Sequence, residues 1–283
     1  MSTKRQNPET IAIHGGDYRS DPTTKAVAVP IYRTTSYQFD STEHAANLFA
    51  LKEFGNIYTR IMNPTNDALE KRLAALEGGL ACLTVSSGQT ASTFSILNVA
   101  KAGDNIVSST DLYGGTISLF THTLSKLGIE VRYADPADPK NFEKAIDDKT
   151  RAFYGETLPN PYLRVFPIKE VSDIGRKYNI PLIMDNTASP VLCKPLEHGA
   201  AIVVYSLTKY IGGHGTVVGG ALVDGGNFDW TADPKRQPLF NEPDASYGGV
   251  IWGKVVPELT GANVSFAIRA RVTLLRDLGA ALA

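Results

Sequence analysis

Between residues 80 and 225 this 283-residue chain alternates short apolar runs with helical patterns. That alternation restricts it to an α/β fold, a mostly parallel sheet covered on both faces. Cys82-Leu83-Thr84-Val85, Ile106-Val107-Ser108, Glu130 to Tyr133, Arg151 to Tyr154, Leu182 to Met184 and Ile202-Val203-Val204-Tyr205 read as strands. Helical patterns follow Gly88 to about Ala100, and run from about Thr116 to Lys126 and from Ile168 to Tyr178. Gly220-Ala221-Leu222-Val223 comes too soon after the Ile202 run for a parallel crossover, so it is expected to be antiparallel. Upstream, a helix through Leu69, Arg72, Leu73 and Leu76 closes on Gly78-Gly79, and another is expected from about Thr42 to Phe54 with Asp40 and Glu43 as its capping pair. The first ten residues read as a flexible arm.

Charge excludes some function classes. With 28 basic and 29 acidic side chains, the chain has no electrostatic case for nucleic acid or an anionic membrane, and small-molecule substrates are the expectation. Two cysteines, Cys82 and Cys193, give no disulfide framework and read as packing residues. No apolar run approaches membrane-spanning length, and the charged start is not followed by the apolar stretch of a secretory signal. A cytoplasmic enzyme is expected, and no metal-ligand set is read.

The chemistry concentrates at the ends of the predicted strands. Ser206-Leu207-Thr208-Lys209-Tyr210-Ile211-Gly212-Gly213-His214-Gly215 places one lysine between hydroxyls and a glycine-rich turn, just past a strand end where α/β folds bind ligands. A lysine amine forms imines well when desolvation or a nearby cation lowers its pKa, and the apolar flanks of Lys209 suggest such a pocket. Ser206 and Thr208 are candidates to face a phosphate. The plain alternative is an exposed surface lysine. Asp185 ends the preceding strand, and pyridoxal phosphate requires a carboxylate opposite its ring nitrogen; alone, Asp185 reads equally well as a turn residue. Ser86-Ser87-Gly88-Gln89 leads into a helix whose free amides suit a phosphate, without the spacing of ATP or NAD loops. Tyr113, before Gly114-Gly115, is either a ring stacked on the cofactor or an ordinary loop tyrosine. His214 reads as a structural loop residue.

Taken with Leu51-Lys52-Glu53-Phe54-Gly55-Asn56-Ile57-Tyr58-Thr59-Arg60-Ile61-Met62-Asn63-Pro64-Thr65, Gly212 to Thr216 and Pro238 to Asp244, these motifs resemble the cystathionine γ-synthase-like, or Cys/Met metabolism, family of fold-type I pyridoxal phosphate enzymes. The resemblance spans nearly the whole chain. It implies a seven-stranded, mostly parallel sheet in an aspartate aminotransferase-like fold. It implies that Lys209 anchors the cofactor, Asp185 pairs with its ring nitrogen, Tyr113 stacks on it, and Gly88, Gln89, Ser206 and Thr208 hold its phosphate. Tyr58 and Arg60 match residues that reach the phosphate of a neighbouring subunit, so a homo-oligomer, a dimer of dimers, is implied. Asn160, in Glu156-Thr157-Leu158-Pro159-Asn160-Pro161, matches an asparagine at the cofactor oxygen, with a turn residue as its plain alternative. Lys209, Tyr113 and Tyr58 are the implied catalytic groups.

The implied domains are an N-terminal arm and helix contacting the neighbouring subunit (1–62), a cofactor-binding large domain (63–257), and the entry to a C-terminal domain (258–283) whose substrate-gripping arginine has no counterpart here. Ala201, Tyr205 and Ala188 stand where the family has an acidic residue, often a histidine, and an aromatic residue, and are expected to reshape the pocket. The implied activity, shared with the sulfhydrylase members, is γ-replacement: O-acetyl-L-homoserine with sulfide or a small thiol gives L-homocysteine or L-methionine and acetate. Cystathionine γ-synthase activity, a γ- or β-lyase, and a non-catalytic cofactor-binding fragment remain as alternatives.

Overall fold

A computed structural model describes residues 7–282. Its first helix, α1 (Pro8–His14), begins with proline at its first position, where the missing N–H costs nothing. Residues 8–10 are therefore helical rather than part of a flexible arm, and residues 1–6 lie outside the described residues. α1 packs on α3 (Pro64–Glu77), where Arg72 Nε donates to the Gly15 carbonyl at 2.9 Å. Between them, α2 spans Thr42–Phe49 and ends five residues earlier than its apolar pattern suggests. Its cap is Ser41, which accepts the His44 amide at 3.0 Å, and not Asp40. The shorter serine reaches the third helical amide directly from the N-cap position.

α3 stops at Gly78, whose φ of 81° lies in the left-handed region, and the chain enters the sheet as β1 (Ala81–Val85). There follow α4 (Gly88–Leu97), β2 (Asn105–Ser109), α5 (Gly114–Ser118) continued by a π-helical turn over Leu119–Leu124, β3 (Glu130–Ala134), α6 (Lys140–Lys144), β4 (Thr150–Glu156), α7 (Ile168–Lys177), β5 (Leu182–Asp185), β6 (Ile202–Ser206) and β7 (Gly220–Asp224). The seven strands lie in the order β1-β7-β6-β5-β4-β2-β3. β7 alone runs antiparallel to its neighbours, as its short connection requires.

Alternation along each strand sorts side chains to two faces. Leu83, Ile106, Tyr154, Ile183, Val204 and Leu222 meet α4 and the π-helical turn on one face. Cys82, Val203, Tyr205, Ala221 and Val223 meet α3 on the other, beside Phe153, Leu182 and Met184 under α7. The remaining helices, α8 (Pro238–Asn241), α9 (Trp252–Thr260), α10 (Ser265–Arg269) and α11 (Arg276–Leu278), join the α4 face. Trp252, Val264, Phe266, Val272 and Leu275 share its core with Leu83 and Ile96, so residues 258–282 pack on the sheet domain itself. Each such large apolar side chain contributes about 1.5–3 kcal/mol on burial. Both cysteines are free thiols, Cys82 buried and Cys193 half-buried, and burial pushes both upward in pKa.

Candidate functional site

The sheet register brings one set of residues to one edge. Glu156, the last residue of β4, pairs with Asp185, the last of β5; Asp185 pairs with Val204; Ser206, the last of β6, pairs with Gly220, which also pairs with Val85. This is the carboxyl edge of the parallel strands, where the sequence places the candidate site. Side-chain parity does the rest. Glu156, Asp185 and Ser206 share parity with Tyr154, Ile183 and Val204, so all three belong to the α4 face.

α4 starts at this edge. Ser87 caps it by accepting the Thr90 amide at 3.1 Å, and the next two amides, of Gly88 and Gln89, have no intrahelical acceptor. Only glycine fits at 88: a Cβ there would sit 2.6 Å from Ser206 Cβ and 2.9 Å from Ser206 Cα. Gly220 is tighter still, since its Cβ would meet the Ser87 carbonyl oxygen at 2.0 Å. The start of α4 is thus pressed against the end of β6, with amides and the Ser206 hydroxyl in one small region. Thr208, by contrast, is occupied: its Oγ1 accepts the Gly219 amide at 3.1 Å. That bond fixes the turn that carries Lys209.

Lys209 follows three residues after β6, its amide donating to the Ser206 carbonyl at 3.3 Å. Its side chain is exposed in the single chain, as is Tyr210, while Leu207 turns inward toward α3. The flanking apolar residues therefore build no pocket around the lysine. The reason is geometric, because Lys209 lies on a turn beyond the sheet edge and Leu207 belongs to the opposite face. His214 is exposed, with Nδ1 2.8 Å from the Gly212 carbonyl.

The Tyr113 amide donates to Glu156 Oε1 at 2.7 Å, and its ring is half exposed, lying over the start of α5. A Cβ on Gly115 would strike that ring at 2.4 Å and Gln89 Nε2 at 3.1 Å, which puts Tyr113 and Gln89 side by side at the mouth. Asn160 is exposed in a turn, and its amide together with that of Tyr113 faces Glu156. Glu156 is buried and Asp185 half-buried; desolvation raises both carboxyl pKa values, and each disfavours ionisation of the other. Among the described residues, no lysine, arginine or histidine forms an ion pair with either.

Two of the anticipated residues stand apart. The Arg60 guanidinium lies 5.2 Å over the Tyr58 ring and donates to the Arg276 carbonyl; neither contact involves Lys209 or Asp185. Arg271 holds this strip from below, donating to the Ile61 carbonyl at 2.7 Å while pairing with Glu70. A cavity of about 500 Å³ opens nearby, lined by Leu48, Phe54, Ile57, Met62, Tyr247 and Val272.

Of the three departures expected to reshape the pocket, Ala188 lies in the loop past the carboxyl edge and Tyr205 one residue inside it. Ala201 begins at the opposite end of the sheet, its amide donating to the Leu182 carbonyl, and Tyr205 points to the α3 face. Sequence reading passed over Glu156 and Thr187. Thr187 ties the edge together: its amide donates to Asp185 Oδ1 at 2.9 Å and its Oγ1 accepts the Ser206 amide at 2.8 Å. The strand parity that marks Asp185 also marks Glu156, two residues past Tyr154, and was the available signal.

A doubly wound sheet with a lysine, a glycine cradle and two unpaired carboxylates at its carboxyl edge defines a protein of the fold-type I pyridoxal phosphate class. The model of the Cys/Met metabolism PLP-dependent enzyme family matches residues 9–267, and the chain belongs to that family. It is 55% identical over 280 residues to an O-acetyl-L-homoserine sulfhydrylase of Leptospira meyeri, covering 97% of this chain and 62% of that protein. It is 50% identical over 277 residues to O-acetyl-L-homoserine sulfhydrylase 1 of Thermus thermophilus, covering 97% and 64%. A crystal structure of a Campylobacter jejuni protein, described as an O-acetylhomoserine (thiol)-lyase with a pyridoxyl-lysine monophosphate, superposes with a TM-score of 0.91 at 42% identity, covering 98% of this chain and 67% of that one. The chain thus spans somewhat under two thirds of the length of these two sulfhydrylases. Among the described residues, no helix is long and apolar enough to cross a membrane.

Proposed function

We propose that this chain carries the pyridoxal phosphate site of an O-acetylhomoserine sulfhydrylase, which converts O-acetyl-L-homoserine and sulfide, or a small thiol, into L-homocysteine, or L-methionine, and acetate. The observation that carries the cofactor assignment is the Glu156–Asp185 pair: two adjacent carboxylates on the α4 face, raised in pKa and without a cation among the described residues. A protonated ring nitrogen supplies the missing positive charge. The Gly88 cradle and the free amides of Gly88 and Gln89 suit a phosphate, since a helix start favours an anion. The residues present therefore fit the group, and the names of the relatives support the substrate.

In this reading Lys209 would hold the cofactor covalently, and its amine is the group placed to carry protons at Cα and Cβ of the substrate. When bound, the cofactor supplies an electron sink for the negative charge left at Cα. Asp185 would keep the ring nitrogen protonated, Ser206 would join Gly88 and Gln89 around the phosphate, with Thr208 joining them on release of its Gly219 bond, and Tyr113 would cover the ring. Asn160 reaches the cofactor oxygen. Tyr58 and Arg60, exposed and in contact with each other rather than with Lys209, serve the site of a second copy, so the active form is a homo-oligomer, a dimer of dimers, in the cytoplasm. Residues 7–62 form the part that meets the neighbour and 63–257 the cofactor domain, onto which 258–282 pack as they lead into a further domain.

The test is the visible absorbance of the purified chain with pyridoxal phosphate, before and after O-acetyl-L-homoserine, beside Lys209→Ala. A band that is present in wild type, shifts with substrate and is missing from Lys209→Ala is expected. Homocysteine formed only when sulfide is added separates replacement from a lyase. No band in wild type would sink the cofactor assignment.

A further inference from the structure

Behind the carboxyl edge, on the α3 face, lies a buried polar chain that the proposed chemistry does not use. The Tyr205 hydroxyl, on a side chain 3% exposed, donates to Glu77 Oε2 at the end of α3 and accepts Asn186 Nδ2 at 2.8 Å. Asn186 also donates to the Cys193 carbonyl at 2.9 Å and accepts the Ser189 hydroxyl at 2.7 Å. Asn186 is fully buried and stands between Asp185 and Thr187. Its side chain is thus anchored on one face of the sheet, while its neighbours present Asp185 Oδ1 and Thr187 Oγ1 to the amides of Thr187 and Ser206. Val191, further along the same loop, holds a φ of 70°, a conformation that a β-branched residue adopts only where its surroundings impose it. Val191 lies between Ser189 and Cys193, both of which bond to the Asn186 side chain.

We propose that Tyr205 is a positioning residue: through Asn186 it holds the turn Asp185–Thr187 in the place from which Asp185 meets the cofactor and Ser206 meets the phosphate. The link to the cofactor rests on the function proposed above, while the link to the turn does not. Three features make the anchor specific. The hydroxyl both gives and takes a hydrogen bond, so phenylalanine removes both at no change in ring size. The partners are separated by 128 and 19 positions in the chain, so they tie α3 to the loop after β5. Finally, Asn186 contributes a second bond at its own backbone, donating to the Val204 carbonyl at 3.0 Å, so that only its side chain depends on Tyr205.

The experiment compares wild type, Tyr205→Phe and Glu77→Gln by hydrogen exchange at the Thr187 and Ser206 amides, with the Leu222 amide at the middle of β7 as internal control, and by pyridoxal phosphate titration. Of the two hydrogen bonds that Tyr205→Phe removes, the one from Asn186 holds the turn, and its loss predicts exchange about tenfold faster at both edge amides with no change at Leu222, and a cofactor dissociation constant about tenfold higher. Glu77→Gln moves the same readouts in the same direction by less, because its amide oxygen still accepts from Tyr205. A role in general stability alone would raise exchange at all three amides together. Unchanged exchange at Thr187 and Ser206 overturns the inference, and faster exchange with an unchanged dissociation constant overturns its link to the cofactor. If wild type binds no pyridoxal phosphate, the proposed function falls, and the exchange comparison alone decides whether Tyr205 holds the turn.

Discussion

Replacing Glu77 with glutamine tests the energetics of the buried polar chain directly. Glu77 is 3% exposed at the end of α3, Tyr205 donates to its Oε2, and its Oε1 has no partner. Burial pushes its carboxyl pKa from an ordinary 4.5 up to about 7, against the opposing pull of the Tyr205 hydrogen bond and the Lys194 charge. Between those two values the folded chain keeps a proton that the unfolded chain releases. Stability from this group is therefore fully present below pH 4.5, falls as pH rises, and is level again above about pH 7. At about 1.4 kcal/mol per pH unit, the gap amounts to about 3 kcal/mol. Glutamine cannot ionise, so Glu77→Gln loses that slope. Its amide nitrogen, placed where a partner is missing, subtracts a constant of about 1–3 kcal/mol at every pH. Urea denaturation of both proteins from pH 4.5 to 8 separates the two effects, because only the slope difference reports Glu77. Parallel stability curves across that window would refute the reasoning.

Other sites give equally concrete expectations. Gly88→Ala forces a Cβ to within 2.6 Å of Ser206 Cβ and into its backbone, which costs about 1–3 kcal/mol and opens the cradle; a pyridoxal phosphate dissociation constant raised about 5- to 150-fold is expected by fluorescence titration. Arg271→Met removes the partner of buried Glu70, which keeps only the two donors of Thr84, at 2.8 and 2.9 Å; urea unfolding should show a loss of about 3–5 kcal/mol. Asp224, pushed up to about 6 by burial, accepts the amides of Gly226 at 3.0 Å and Ala267 at 3.1 Å. Asp224→Asn removes one acceptor, so exchange of the Ala267 amide should quicken while that of Val85 stays constant.

Much of this molecule is written in local pattern. Continuous apolar runs in Ile202 to Tyr205 and in Leu182 to Met184 mark strands buried on both faces, and the polar residue that ends each, Ser206 or Asp185, falls at the edge. The short connection before Gly220 determines that β7 runs antiparallel. Lys209, Asp185, Gly88 and Tyr113 were legible for this reason: each follows directly from the end of a strand or the start of a helix. Local pattern misled where a side chain had two possible partners, as at the cap of α2, and where flanking residues served opposite faces, as around Lys209. What only the tertiary structure decided are the contacts between distant segments. Strand order put Glu156 beside Asp185, the packing of α3 put Glu77 under Tyr205, and the return of the C-terminal helices put Arg271 beneath Ile61. Alternation tells which face of a strand a side chain takes, but the partner on that face is set by which elements pack there, and this is a property of the whole chain.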